Sequence, residues 1–142
     1  MKALKMLAAA ASIYVVDDAP FLTELYTKLL ESSGYGVRAF TDRGAALATL
    51  KADWNKPDLL ITDYRNPSMP IDQFLQQCLI VHPALRILMV SGFRRTEVRL
   101  SHAKPDRFLE KPFTNEQLKR EIKAVLQGGS RDGSLVPCPS GN

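Results

Sequence analysis

With 142 residues, 45% of them hydrophobic and 24% charged, the chain can bury one good core but is too short for two ordinary domains. Its formal charge is +4, and its two cysteines, Cys78 in an apolar helical pattern and Cys138 in a Pro/Gly stretch, lack the Cys/His clustering of a disulfide framework or a zinc site. No apolar run approaches the roughly 20 residues of a membrane span, so a soluble protein in a reduced, cytoplasmic setting is expected, with no membrane partner.

The opening "MKALKMLAAAA" imitates a secretory leader, but its apolar part is short and broken by Lys5. Residues 1–10 are therefore expected to form an N-terminal extension. The run "SIYVV" that follows reads as a buried strand and ends in Asp17 and Asp18. Phe21, Leu22, Leu25, Leu29 and Leu30 then recur on one helical face. Further buried strands are expected over residues 36–40, 58–62, 85–90 and 107–109. The intervening helices carry Ala45, Ala46, Leu47 and Leu50, then Phe74, Leu75, Cys78 and Leu79 within 71–81, then a short stretch over 96–102. A last helix over 114–127 places Leu118, Ile122, Val125 and Leu126 inward, with Thr114 as its N-cap. From Gly128 the sequence turns to "GGSRDGSLVPCPSGN", which has no apolar period and is expected to be a disordered tail over 128–142.

Five strand–helix repeats imply an α/β fold, a parallel sheet with helices on both faces in three layers. In such a sheet, ligands bind outside the carboxyl ends of the strands. Asp17 and Asp18 stand at one such end and Asp63, closing "PDLLITD", at another; Ser91 follows "RILMV" and Lys111 follows "RFLE". Three carboxylates at one edge repel one another unless a cation joins them, and an all-oxygen set suits a hard ion such as magnesium. Taken singly, each residue has a plainer reading. Asp18 could cap the helix that Pro20 opens, Asp63 could belong to a proline-rich turn, Ser91-Gly92 is a common turn pair, and Lys111-Pro112 a common loop entry.

Together, the acidic pair in "VVDD", the strand "DLLITD" with Pro67 and Met69 beyond it, "ILMVSG" and "FLEKPF" resemble the receiver domain of two-component response regulators over residues 11–127. The resemblance implies a flavodoxin-like, doubly wound sheet of five strands in the order 2-1-3-4-5 with five helices. It also implies that Asp63 accepts a phosphoryl group from a sensor histidine kinase or a histidine phosphotransfer protein. Asp18, Asp63 and the carbonyl of Arg65 would hold Mg2+ directly, with Asp17 acting through a metal-bound water. Lys111, Ser91 and the amide of Gly92 would contact the phosphoryl oxygens, and Phe108 would turn inward when Ser91 is drawn to the phosphate. The output would be altered contact with a downstream protein, as a monomer or a phosphorylation-dependent dimer.

Two departures stand out. The family usually has Asp-Gly after the methionine of the loop that follows the acceptor, where "MPIDQF" has Pro70 and Ile71, so that turn must close with a different backbone shape. The segment between Ser91 and Lys111 is also short, which points to a truncated fourth helix. Between Arg94 and Arg107 five basic residues face Glu97 and Asp106, which reads as a solvated surface or a docking face for an acidic partner. Nucleic-acid binding is not expected, since no helix-turn-helix follows and no aromatic residues interleave the basic patch. His82 and His102 lack ligand spacing and read as structural or exposed. Two other readings share the carboxylates: a magnesium-dependent phosphatase with an aspartyl nucleophile, and a receiver with a vestigial site. The first resembles the haloacid dehalogenase superfamily, which places a second Asp two residues after the nucleophile; Asp63-Tyr64-Arg65 lacks it.

Overall fold

The computed structural model describes residues 11–92, 98–100 and 103–128. Strands β1 (Ser12–Val16), β2 (Gly36–Phe40), β3 (Leu59–Asp63), β4 (Arg86–Ser91) and β5 (Arg107–Glu110) alternate with helices α1 (Pro20–Ser32), α2 (Arg43–Ala52), α3 (Ile71–Val81) and α4 (Asn115–Gln127). The strands form one sheet in the order β2-β1-β3-β4-β5, and every adjacent pair is parallel. This is the expected flavodoxin-like order 2-1-3-4-5, with four helices among the described residues rather than five. The short helix expected over 96–102 falls mostly outside the described residues, and 98–100 are irregular. The expected extension over 1–10 and all of the expected tail beyond Gly128 also lie outside them.

Alternation along the three inner strands divides the core. Tyr14, Val16, Leu60, Ile87 and Met89 pack with α2 and α3, whereas Ile13, Val15, Leu59, Ile61, Leu88 and Val90 pack with α1 and α4. Both faces of these strands are covered, which is why they read as unbroken apolar runs. Strand β2 departs from the expectation of burial. As one of the two edge strands it has a neighbour on one side only, and Gly36, Arg38 and Ala39 are exposed; β5, at the other edge, likewise leaves Arg107 and Glu110 exposed.

The apolar face read for α1 also needs correction, because Phe21 and Leu25 are exposed while Thr23, Tyr26 and Leu30 are buried. Tyr26 stacks on Phe113 at a centroid distance of 6.3 Å, and Leu22, Leu29 and Leu30 pack beside it against the sheet. Helix α4 follows its pattern, with Leu118, Ile122 and Val125 buried. Its N-terminus carries a capping box in which Thr114 Oγ1 accepts from the Gln117 amide at 3.0 Å and the Gln117 side chain accepts from the Thr114 amide at 2.8 Å. At the far edge Asp106 joins β5 to β4, its carboxylate accepting from the Ile87 amide at 2.7 Å. His82 proves structural: its Nε2 is 2.8 Å from the carbonyl oxygen of Pro57.

These contacts set two stabilities apart. Thr114→Ala should lower the unfolding free energy by about 1 kcal/mol, the usual worth of an N-cap. Leu88→Ala, at a fully buried position, should lower it by about 2–5 kcal/mol in the same urea titration.

Candidate functional site

Because β1 and β3 are parallel neighbours, with Val16 in register with Thr62, their carboxyl ends open at the same edge. Asp63 is the last residue of β3, and Asp17 and Asp18 follow the last residue of β1. One carboxylate oxygen from each of Asp17, Asp18 and Asp63 lies within 4.8 Å of the others. Asp17 and Asp63 are buried and Asp18 is exposed. Such a set of hard oxygen donors, partly open to solvent, fits a divalent cation, and it is the one group of ligating side chains so placed among the described residues.

Each acid is held differently. Asp17 Oδ1 accepts from the Ala19 amide at 3.0 Å, and its Oδ2 faces the Lys111 ammonium at 3.4 Å. The capping alternative for Asp18 does not hold, since Ala19 is the N-cap of α1 and no side chain caps it. Burial pushes the Asp63 carboxyl up to about 6, the charge on Asp17 adds to this, and the Arg43 guanidinium opposes it. Ser91 ends β4 and is buried, and its carbonyl accepts from the Lys111 amide at 2.7 Å, so the β4 and β5 ends meet at this edge. Gly92 and Arg65 are exposed at the rim. Phe108 sits on β5 opposite Met89, half-buried against the apolar cluster shared with Tyr64.

Arg43 escaped the sequence reading. It opens α2, where a cation opposes the helix dipole; that misplacement is the signal that could have revealed it. Its side chain is 1% exposed and reaches under the loop after β3. Its Nη2 donates to the Asp63 carbonyl (2.7 Å), to Asp63 Oδ1 (3.2 Å) and to the Tyr64 carbonyl (3.1 Å), and its Nη1 donates to the Met69 carbonyl (2.7 Å). The guanidinium carbon lies 5.8 Å from the centre of the Phe74 ring, and Nε is buried with no hydrogen-bond partner. One further tie binds this loop to α2, where Ser68 Oγ accepts from the Arg43 amide at 2.9 Å, and within the loop Asn66 Oδ1 accepts from the Ser68 amide at 3.0 Å. The loop, which has no glycine between Asp63 and Ile71, thus closes around a side chain from α2. A groove of ≈ 720 Å³ opens beside it, bordered by Asp18, Tyr64, Arg65, Pro70 and Asp72.

The family model of the response regulator receiver domain matches residues 13–123. The chain belongs to this family. Over 113 residues the receiver is 31% identical to the nitrogen assimilation regulatory protein NtrX of Azorhizobium caulinodans, a match that covers 77% of this chain and 24% of that protein. It is 26% identical to the probable transcriptional regulatory protein TcrX of Mycobacterium tuberculosis over 82% of this chain and 50% of that one. The chain therefore spans half or less of the length of these curated relatives. Among solved structures, a response regulator receiver protein from Sinorhizobium medicae superposes with a TM-score of 0.72 at 29% identity, covering 82% of the receiver and 94% of that chain. No helix among the described residues is long and apolar enough to cross a membrane.

The raised Asp63 carboxyl makes a pH prediction for the metal-free protein. A folded value near 6, against 3.8 ordinarily, means that the fold favours the protonated acid; Asp63 supports stability below about pH 4 and loses that support as pH rises through 6. Asp63→Asn should therefore be more stable than wild type at pH 8 by about 1–3 kcal/mol. The gap should close between pH 6 and pH 4 in thermal unfolding.

Proposed function

We propose that this receiver takes a phosphoryl group on Asp63 from a phosphohistidine of a sensor kinase or phosphotransfer protein and passes the signal on through altered protein contacts. The observation that carries the reading is the meeting of three carboxylates at one sheet edge, with the Lys111 ammonium at 3.4 Å from Asp17 and the Ser91 hydroxyl at the neighbouring strand end. In the transfer, an Asp63 oxygen forms a bond to phosphorus as the phosphorus–nitrogen bond of the donor breaks. The electron pair and then a proton go to the imidazole. Charge spreads over the phosphoryl oxygens, so positioned cations and donors do most of the catalysis. Lys111 supplies one positive charge, and Ser91 Oγ and the Gly92 amide supply hydrogen bonds.

Asp18, Asp63 and the Arg65 carbonyl would hold Mg2+, with Asp17 acting through water, and the ion when bound supplies further positive charge to the phosphoryl oxygens. The new dianionic group then draws Ser91 and Lys111 towards it and leaves room that Phe108 fills, a two-state equilibrium biased by the phosphate. The family match supports this reading over an aspartyl-nucleophile phosphatase, and the free thiol of buried Cys78 accords with a reduced, cytoplasmic setting.

Incubation with acetyl phosphate and magnesium should add one phosphoryl group, seen by intact mass, and neither Asp63→Asn nor a magnesium-free sample should gain it. Lys111→Ala should slow the uptake by about 100-fold or more, the scale of one electrostatic contact in a transition state. Failure of the wild type to take the group would favour a vestigial site. Arg65, exposed beside the acceptor, should tune the lifetime of the phosphoryl group, so Arg65→Ala should change the half-life of the adduct; an unchanged half-life would remove that role.

A further inference from the structure

The guanidinium of Arg43 touches the Asp63 carboxylate itself, a contact separate from those expected of Lys111 and Ser91. We propose that Arg43 sets the lifetime of the aspartyl phosphate, by holding the Asp63 oxygen that does not carry phosphorus and so favouring the free carboxylate over the acyl phosphate. The inference rests on Asp63 being the acceptor.

The argument begins with where the charge goes. In the unphosphorylated carboxylate both oxygens share a full negative charge, and the bond from Arg43 Nη2 to Oδ1, at 3.2 Å, is charge-assisted. Once the other oxygen bonds to phosphorus, Oδ1 becomes a nearly neutral carbonyl oxygen. Charge-assisted hydrogen bonds are roughly twice as strong as neutral ones, so Arg43 stabilises the free state more than the phosphorylated one.

Hydrolysis has the same asymmetry. A water oxygen bonds to phosphorus as the phosphorus–oxygen bond to Asp63 breaks; the electron pair returns to the carboxylate, and both water protons leave with the dihydrogen phosphate. Negative charge grows on Oδ1 during that step, and a fixed cation beside it lowers the barrier. Capture of a phosphoryl group is correspondingly restrained.

Arg43 cannot step aside when the charge changes. Three backbone carbonyls, those of Asp63, Tyr64 and Met69, fix its two terminal nitrogens, and its contact with the Phe74 ring fixes the plane. The chain keeps this arginine although its buried Nε–H has no partner, an arrangement that disfavours the fold. A lysine, with a single compact ammonium, could not span the same acceptors.

The test compares wild type, Arg43→Met, Arg43→Lys and Ser68→Ala. Each is phosphorylated with acetyl phosphate and magnesium and freed of donor, and loss of the phosphoryl group is followed by intact mass. Arg43→Met should lengthen the half-life by about tenfold, equivalent to about 1.4 kcal/mol of barrier. Arg43→Lys should fall between it and wild type. Ser68→Ala loosens the same loop without touching the carboxylate and should decay like wild type. An unchanged or shorter half-life in Arg43→Met, or an equal lengthening in Ser68→Ala, overturns the proposal. Should Arg43→Met fail to fold, the wild type decides the matter: the Arg43 side-chain 15N signals should shift when Asp63 is modified with beryllofluoride, and unmoved signals overturn the proposal. A wild type that takes up no phosphoryl group overturns both this inference and the acceptor reading, whereas a phosphorylated Arg43→Met with unaltered decay overturns this one alone.

Discussion

Two buried carboxylates, Asp17 and Asp63, lie side by side at the end of the sheet, and the arrangement persists because each has a cation of a different kind. Lys111 is half-exposed and reaches Asp17 from a strand end on a flexible stem, so its ammonium can be drawn elsewhere when charge appears nearby. Arg43 is enclosed and bonded to the carbonyls around it, so its charge stays where it is. Arg43 does not fully offset the loss of water at Asp63, because burial holds the Asp63 carboxyl well above its ordinary range and pulls Arg43 below its own. The site is held under electrostatic tension by the rest of the fold.

The sheet supplies that holding. Strands β1 and β3 are the central neighbours at the point where strand order reverses, and each is covered on both faces by helices. Side-chain alternation then decides which way each functional residue points. Asp17 continues the series Ile13, Val15 and Asp63 the series Leu59, Ile61, the face packed with α1 and α4. Ser91 continues Ile87 and Met89, and Phe108 stands opposite Met89, on the face packed with α2 and α3. Carboxylate and hydroxyl therefore approach the edge from opposite faces. Burial holds the hydroxyl of Tyr26, on α1, protonated, and the charges of Asp17 and Asp63 add to this.

Much of this was legible in the sequence, because the inner strands are apolar on both faces and end abruptly in charged or polar residues. Strand ends are set by hydrogen bonding that the sequence does not display, and Asp63 and Ser91 fall inside the last rung rather than just after it. The exposed Phe21 and Leu25 misled because hydrophobic period tells which residues share a helix face, not which face meets the sheet. The face that meets the sheet is the one on which Tyr26 and Leu30 pack, with Leu22 and Leu29 at its margin. Arg43 was hidden for a related reason. Its partners are mostly backbone carbonyls some 20 or more residues away, and a carbonyl has no signature in a sequence.

The proline-bearing loop after β3 shows how a departure from the family pattern is absorbed. Without glycine at the usual place, backbone freedom gives way to side-chain bonds. Arg43 gathers the loop's carbonyls, Asn66 reaches back to the Thr41 carbonyl at 3.2 Å, and Ser68 closes the start of α2. On the other flank the Tyr64 hydroxyl accepts from the Arg99 amide at 3.0 Å, which ties the same loop to the segment between β4 and β5. A loop fastened on both sides transmits displacement in a way that a flexible one cannot. Asp63 is thereby joined to α2 through Arg43, and its neighbour Tyr64 to Arg99 of the β4–β5 segment, so one short stretch of backbone at the end of β3 links both flanks.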